Sequence, residues 1–154
     1  MASKRVLVTG AAGFIGFHTC SKLLQQGATV LGVDNFSAYY DVALKEARTD
    51  ILGNHLEFAL ARVSIEDQDA FGAAWTGFRP DTVIHLAAQA GMRYSIDEPR
   101  SYIGANIVGT HNVLELARHN PVKHLLAAST SSVYGANTEM PFEETQRTQT
   151  PLSL

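Results

Sequence analysis

Val6-Leu7-Val8-Thr9-Gly10-Ala11-Ala12-Gly13-Phe14-Ile15-Gly16 decides how the rest of the chain is read. An apolar, β-branched run feeds a glycine turn, and the turn opens an amphipathic helix. A second apolar strand, Ala28 to Val33, follows and ends in Asp34. Glycine spacing alone carries little information. Strand, turn, helix, strand and terminal acid within a unit of about 30 residues describe a dinucleotide-binding βαβ element. Gly10 allows the tight turn, Gly13 lets backbone approach a pyrophosphate, and Gly16 lets helix and strand pack closely. The helix start at Phe14 and Ile15 offers open N–H groups and a positive dipole end to phosphates. Asp34 is placed to accept hydrogen bonds from an adenosine ribose, and its charge opposes a 2′-phosphate, which favours NAD over NADP.

A chain of 154 residues can bury one ordinary core. Hydrophobic content of 45% with 18% charged residues is that of a globular chain. The formal net charge of −3 gives no basic footprint for nucleic acid. There is neither a signal-peptide core after Met1-Ala2-Ser3-Lys4-Arg5 nor an apolar run long enough for a membrane span. The single cysteine, Cys20, excludes an internal disulfide and fits a reducing cytoplasm; among Thr19, Leu23 and Leu24 it reads as a buried thiol.

Outward from the opening unit, strand-like and helix-like segments alternate. Helices are expected near Val42 to Leu52, from Glu66 to Trp75 with Phe71 and Trp75 on one face, and after Pro99 as far as the stop at Asn120-Pro121. The last of these should bury a stripe of Ile103, Ile107, Thr110, Leu114 and Ala117. Strands are expected at Leu56 to Ala61, Thr82 to Ala87 and Lys123 to Ser129. Five strands joined by helical crossovers predict a doubly wound parallel α/β sheet in the order 3-2-1-4-5, with ligands at the switch point between strands one and four. Residues 1–134 then form the nucleotide-binding domain, and 135–154, rich in Thr, Gln, Glu and Pro, read as loop.

Ligand chemistry in such sheets collects beyond the carboxyl ends of the strands. Strand four ends in Leu86-Ala87-Ala88-Gln89, small enough to pass under a flat cofactor, although sheet packing explains the alanines equally well. Strand five ends in Thr130-Ser131-Ser132-Val133-Tyr134-Gly135, whose hydroxyls could hold a sugar or carboxylate and relay a proton. Arg93 suits either substrate phosphates or a surface ion pair. Asn106, inside the long helix, either satisfies backbone or faces the nicotinamide region. His18, His55, His111, His119 and His124 lack partners at metal-ligand spacing, so no metal is expected.

These segments together resemble the extended short-chain dehydrogenase/reductases, the NAD-dependent epimerase/dehydratase family acting on nucleotide sugars. The resemblance rests on Gly10-x-x-Gly13-x-x-Gly16, Asp34-Asn35, His85-Leu86-Ala87-Ala88-Gln89 and the Thr130 to Gly135 segment. Tyr39-Tyr40-Asp41, Ala90-Gly91-Met92-Arg93-Tyr94-Ser95 and Gly135-Ala136-Asn137-Thr138 resemble the UDP-glucuronate 4-epimerase branch. The resemblance implies NAD as hydride carrier, a UDP-hexuronate substrate, and epimerisation through a 4-keto sugar. It implies Thr130 at the proton-relaying position, with Ser131, Ser132 and Arg93 toward substrate. Related dehydratases carry an acidic pair where Ser131-Ser132 stand, so the segment favours epimerisation over elimination.

Two departures stand out. The family's catalytic Tyr-x-x-x-Lys is absent: four positions after Tyr39, Tyr40, Tyr94, Tyr102 and Tyr134 stand Ala43, Leu44, Glu98, Asn106 and Thr138. Thr150-Pro151-Leu152-Ser153-Leu154 resembles the segment just before that tyrosine. The expectation is an N-terminal portion that binds coenzyme, does not turn substrate over by itself, and either self-associates through a sheet face its missing helix would cover or is poorly stable. Arg62-Val63 falls where the family places an acidic residue for adenine, which means either a slip bringing Glu66 or Asp67 near, or weaker NAD binding.

Overall fold

Val6 to Thr9 lies within the first strand of a computed structural model that describes residues 4–91 and 93–148. Strands β1 (Arg5–Thr9), β2 (Thr29–Val33), β3 (Phe58–Ala61), β4 (Thr82–His85) and β5 (His124–Ala127) form one sheet. Every adjacent pair is parallel and the order is 3-2-1-4-5, as the alternating pattern predicts. Helices α1 (Phe14–Gln25), α2 (Val42–Gly53) and α3 (Gln68–Phe78) provide the first crossovers. Between β4 and β5 run α4 (Tyr94–Asp97), α5 (Pro99–Tyr102), a π-helical stretch Ile103–Gly109, and α6 (Thr110–His119).

Side chains alternate across a strand, so a sheet covered on both sides must be apolar on both. Val6, Val8 and Val30 pack with Cys20, Leu24 and Leu52 beneath α1 and α2. Leu7, Leu31, Val33 and Val83 pack on the other face with Phe71, Trp75 and Val113 of α3 and α6. Phe71 and Trp75 meet edge to face at 5.9 Å, on one helical face as expected. Cys20 is fully buried, and burial pushes its thiol up to about 12, so it is unreactive.

The structure corrects the reading of the long helix. The helical backbone runs on from Pro99 to His119 as expected, but through a π-helical stretch, and of the expected stripe Ile103, Ile107 and Leu114 are exposed by 53%, 64% and 51%, while Ala117 packs on the core. The inward positions are Gly109, Asn112 and Val113. A Cβ on Gly109 would lie 2.5 Å from Ile65, and the Asn112 amide donates to the carbonyls of Ile65 and Glu66 at 2.9 and 3.2 Å. The helix approaches the β3–α3 connection too closely for a branched side chain, and the π turn rotates the apolar stripe outward. Strand boundaries also shift: β5 spans only His124–Ala127 instead of Lys123 to Ser129, and β2 begins at Thr29. β4 stops at His85, before the backbone peels into the loop at Leu86, and β3 starts at Phe58, leaving Leu56 in solvent.

Candidate functional site

Gly10 ends β1 with φ +70°, a left-handed turn that brings its amide and that of Ala11 onto the Val33 carbonyl at 2.8 and 3.2 Å. The turn therefore hangs between β1 and β2. A Cβ on Gly10 would lie 2.9 Å from the Ala87 nitrogen, and one on Gly16 would overlap the Gly10 carbonyl oxygen. Gly13 is the N-cap of α1 and no side chain caps that end, so the first-turn amides at Phe14 and Ile15 face outward with the positive end of the helix dipole. The side chains of Phe14 and Ile15 themselves are exposed.

Asp34 is more committed than its sequence position suggests. Its Oδ2 accepts the Ala12 amide at 3.1 Å and its Oδ1 the Phe36 amide at 2.9 Å. Lys45 Nζ lies 3.6 Å from Oδ1, and both side chains are 7% exposed. A carboxylate this buried requires such partners. Asp34 thus pins the glycine turn. Arg48 adds a second cation from α2, its Nη1 donating to the Ala12 carbonyl at 3.2 Å. Sequence reasoning missed both. The available signal was Lys45 in register with Thr49 and Leu52, the buried stripe of α2. Asn35 is exposed and its side chain accepts the Ser37 amide at 3.0 Å.

At the end of β4 the Thr9 hydroxyl accepts the amides of Leu86 and Ala87 at 3.1 and 3.0 Å. Its oxygen also lies 2.8 Å from His85 Nδ1, and His85 Nε2 lies 3.1 Å from the Thr110 hydroxyl. Ala88 is exposed and Gln89 half-buried. The alternatives for Asn106 resolve toward backbone: its Oδ1 accepts the Gln89 amide at 2.8 Å and its Nδ2 donates to the Gln89 carbonyl at 3.0 Å. The Tyr102 hydroxyl donates to the carbonyls of Ala90 and Gly91, and the Tyr39 ring meets Tyr40 edge-on and Tyr94 at a tilt, each at 4.7 Å. Arg93 is exposed and enters none of the ion pairs among the described residues. Met92, within the same motif, lies outside the described residues.

Thr130, Ser131 and Ser132 are all exposed beyond β5, which neighbours β4. The Thr130 hydroxyl accepts the Ser132 amide at 3.2 Å and caps a short 3-10 turn, Ser131–Tyr134. At the opposite end, Arg62 pairs with Glu46 at 2.7 Å and lies 4.0 Å over the Phe36 ring. Of the acids that a slip would bring near, Asp67 is engaged capping α3 through the Ala70 amide, and the Glu66 carboxylate lies against Gly104. Among the described residues no group of His, Cys, Asp and Glu side chains could hold a metal ion, and no helix is long and apolar enough to cross a membrane. The 150–154 segment lies outside the described residues.

The glycine turn at the switch point of an all-parallel sheet, with an acid ending the adjacent strand, defines the doubly wound, Rossmann-like class. The family model described as GDP-mannose 4,6 dehydratase matches residues 7–153, and the chain belongs to that family of epimerases and dehydratases. It is 48% identical over 150 residues to a probable UDP-glucuronate 4-epimerase of Rhizobium meliloti (strain 1021), covering 97% of this chain and 44% of that one. It is 47% identical to Protein CapI of Staphylococcus aureus, again over 97% of this chain and 45% of the other. Among solved structures, UDP-glucuronic acid 4-epimerase from Bacillus cereus, in complex with UDP-glucuronic acid and NAD, superposes with a TM-score of 0.85 at 34% identity, covering 97% of this chain and 46% of that one. The chain thus spans less than half the length of these relatives.

Proposed function

We propose that this chain is the coenzyme-binding part of a UDP-glucuronate 4-epimerase, interconverting the glucuronate and galacturonate forms. The observation that carries the reading is the bare, amide-lined start of α1 beside the Asp34-pinned glycine turn. A side chain at Gly10 would meet the Ala87 backbone and one at Gly16 the Gly10 carbonyl, so these glycines hold turn and helix start close together, and the uncapped amides there fit a diphosphate with a ribose beside it. The relatives named UDP-glucuronate 4-epimerase, and the Bacillus cereus enzyme solved with NAD, support the choice of NAD and of the uronate.

NAD, when bound, supplies a reversible hydride acceptor at the sugar C4. Gly10, Gly13 and the amides of Phe14, Ile15 and Gly16 would hold the diphosphate, while Asp34 and Asn35 would take the adenosine ribose. Leu86, Ala87, Ala88 and Gln89 would meet the nicotinamide end. Thr130 moves a proton at the sugar hydroxyl, Ser131 and Ser132 hold the uronate carboxylate, and Arg93 meets substrate phosphate. No tyrosine within these residues has lysine four positions on, so the base that would share the proton with Thr130 is not among them. A cytoplasmic setting suits the lone, buried Cys20.

Calorimetric titration of NAD into the purified 154-residue chain, with an assay of UDP-glucuronate turnover, tests this reading. Binding without turnover is expected. An absence of binding overturns the coenzyme site, and turnover by these residues overturns the assignment of the missing base. We further propose self-association. Leu126 is 44% exposed on the α1 side of the sheet, its neighbour Ile84 is half-covered, and Ile103, Ile107 and Leu114 form an exposed stripe. Light scattering that finds a monomer at all concentrations removes it.

A further inference from the structure

We infer that His85 is a positioning residue of the coenzyme site: its neutral ring orients the Thr9 hydroxyl that clamps the backbone at Leu86 and Ala87, and protonation of the ring opens the clamp. The inference deepens the coenzyme reading above and rests on it.

Hydrogen-bond arithmetic carries the argument. A threonine hydroxyl has one proton and two lone pairs. Both lone pairs of Thr9 are taken by the amides of Leu86 and Ala87, so its one proton goes to His85 Nδ1, 2.8 Å away. Nδ1 is therefore bare, and the ring carries its proton on Nε2, which donates to the Thr110 hydroxyl at 3.1 Å. The arrangement links the end of β1, the end of β4 and the start of α6 through one buried imidazole, with Thr9 fully buried and His85 5% exposed.

A proton added at Nδ1 would face an oxygen with no lone pair left. Thr9 could accept it only by releasing Leu86 or Ala87. Those residues begin the coenzyme-facing loop, and the Gly10 turn packs on the Ala87 backbone. The groups facing the ring are Thr9 of β1, Thr110 of α6 and its sheet neighbour Ala127 of β5, none of which ionises; the adjacent His111 is exposed. Burial lowers the ring's pKa below the usual histidine value of 6.5, consistent with a neutral resting state. The sign follows: the clamp stays intact through the usual histidine range and is lost as pH falls beneath the ring's own, lowered pKa.

The experiment has two arms on the intact chain. In the first, nitrogen-15 NMR without coenzyme follows the His85 ring and the Leu86 and Ala87 amides through an acid titration. The expected result is a bare Nδ1 at neutral pH and loss of exchange protection at the Leu86 amide, the Ala87 amide or both, in the same step that protonates the ring. A proton found on Nδ1 at neutral pH, or both amides still protected once the ring is charged, overturns the inference. In the second, NAD affinity is measured at descending pH. The natural chain should lose affinity by about tenfold per pH unit below the ring's midpoint, and His85→Gln should flatten that slope. An equal slope in both overturns the coupling. If NAD binds at no pH, the coenzyme reading fails while the first arm still decides the clamp. Should His85→Gln not fold, Thr110→Val, which leaves the Nε2 proton without its acceptor, takes its place and must move the midpoint.

Discussion

The two halves of the sheet are finished differently. In β1 and β2 every residue after the first is buried, because α1 and α2 cover one face and α3 and α6 the other. In β5 only Leu125 is even half-buried. The glycine turn and Asp34 therefore stand on a closed core, whereas Thr130, Ser131 and Ser132 project from an edge strand open on one side. Coenzyme binding needs atoms held to a fraction of an ångström, and that demand falls on the closed half. The hydroxyls of the open half stand in solvent.

The most severe way to break the closed half is Gly16→Ala. Its new methyl meets the Gly10 carbonyl oxygen, a backbone atom that cannot swing aside, and denaturant melting should show a loss of about 4 kcal/mol or more together with lost NAD binding. Leu52→Ala empties a fully buried position beneath the same layer and should cost about 3 kcal/mol in the same measurement, without touching the turn. Leu126→Ser sharpens the contrast from the other side. On a strand open to water it should alter stability by less than about 0.5 kcal/mol while reducing the scattering mass of any oligomer. A large stability loss at Leu126 would mean that the two halves are not so different.

Strand order and the glycine turn were legible because buried parallel strands and a βα turn impose local sequence rules. Apolar runs, glycines where a Cβ collides and an acid at a strand end all sit in consecutive positions. Phe71 and Trp75 were legible for the same reason, being one helical turn apart. The face of the π-helical stretch and α6 was not. Its inward side is chosen by Gly109 and Asn112 meeting Ile65 and Glu66, residues distant in sequence, and a π turn changes the phase on which periodicity depends. Lys45 was equally hidden, since only folding brings it to Asp34. The hydroxyl cluster was legible as a place but not as an arrangement, because Thr130 spends its oxygen on the Ser132 amide.

Placing β1 at the centre of the sheet has a consequence for synthesis on the ribosome. Val6 pairs with Val30 on one side but with Thr82 on the other, so one edge is satisfied early and the other much later. Until β4 has emerged, the nascent chain carries an apolar strand with a row of open amides and carbonyls, the template on which wrong strands add. The interval between translating β2 and translating β4 is when this sequence most needs a chaperone.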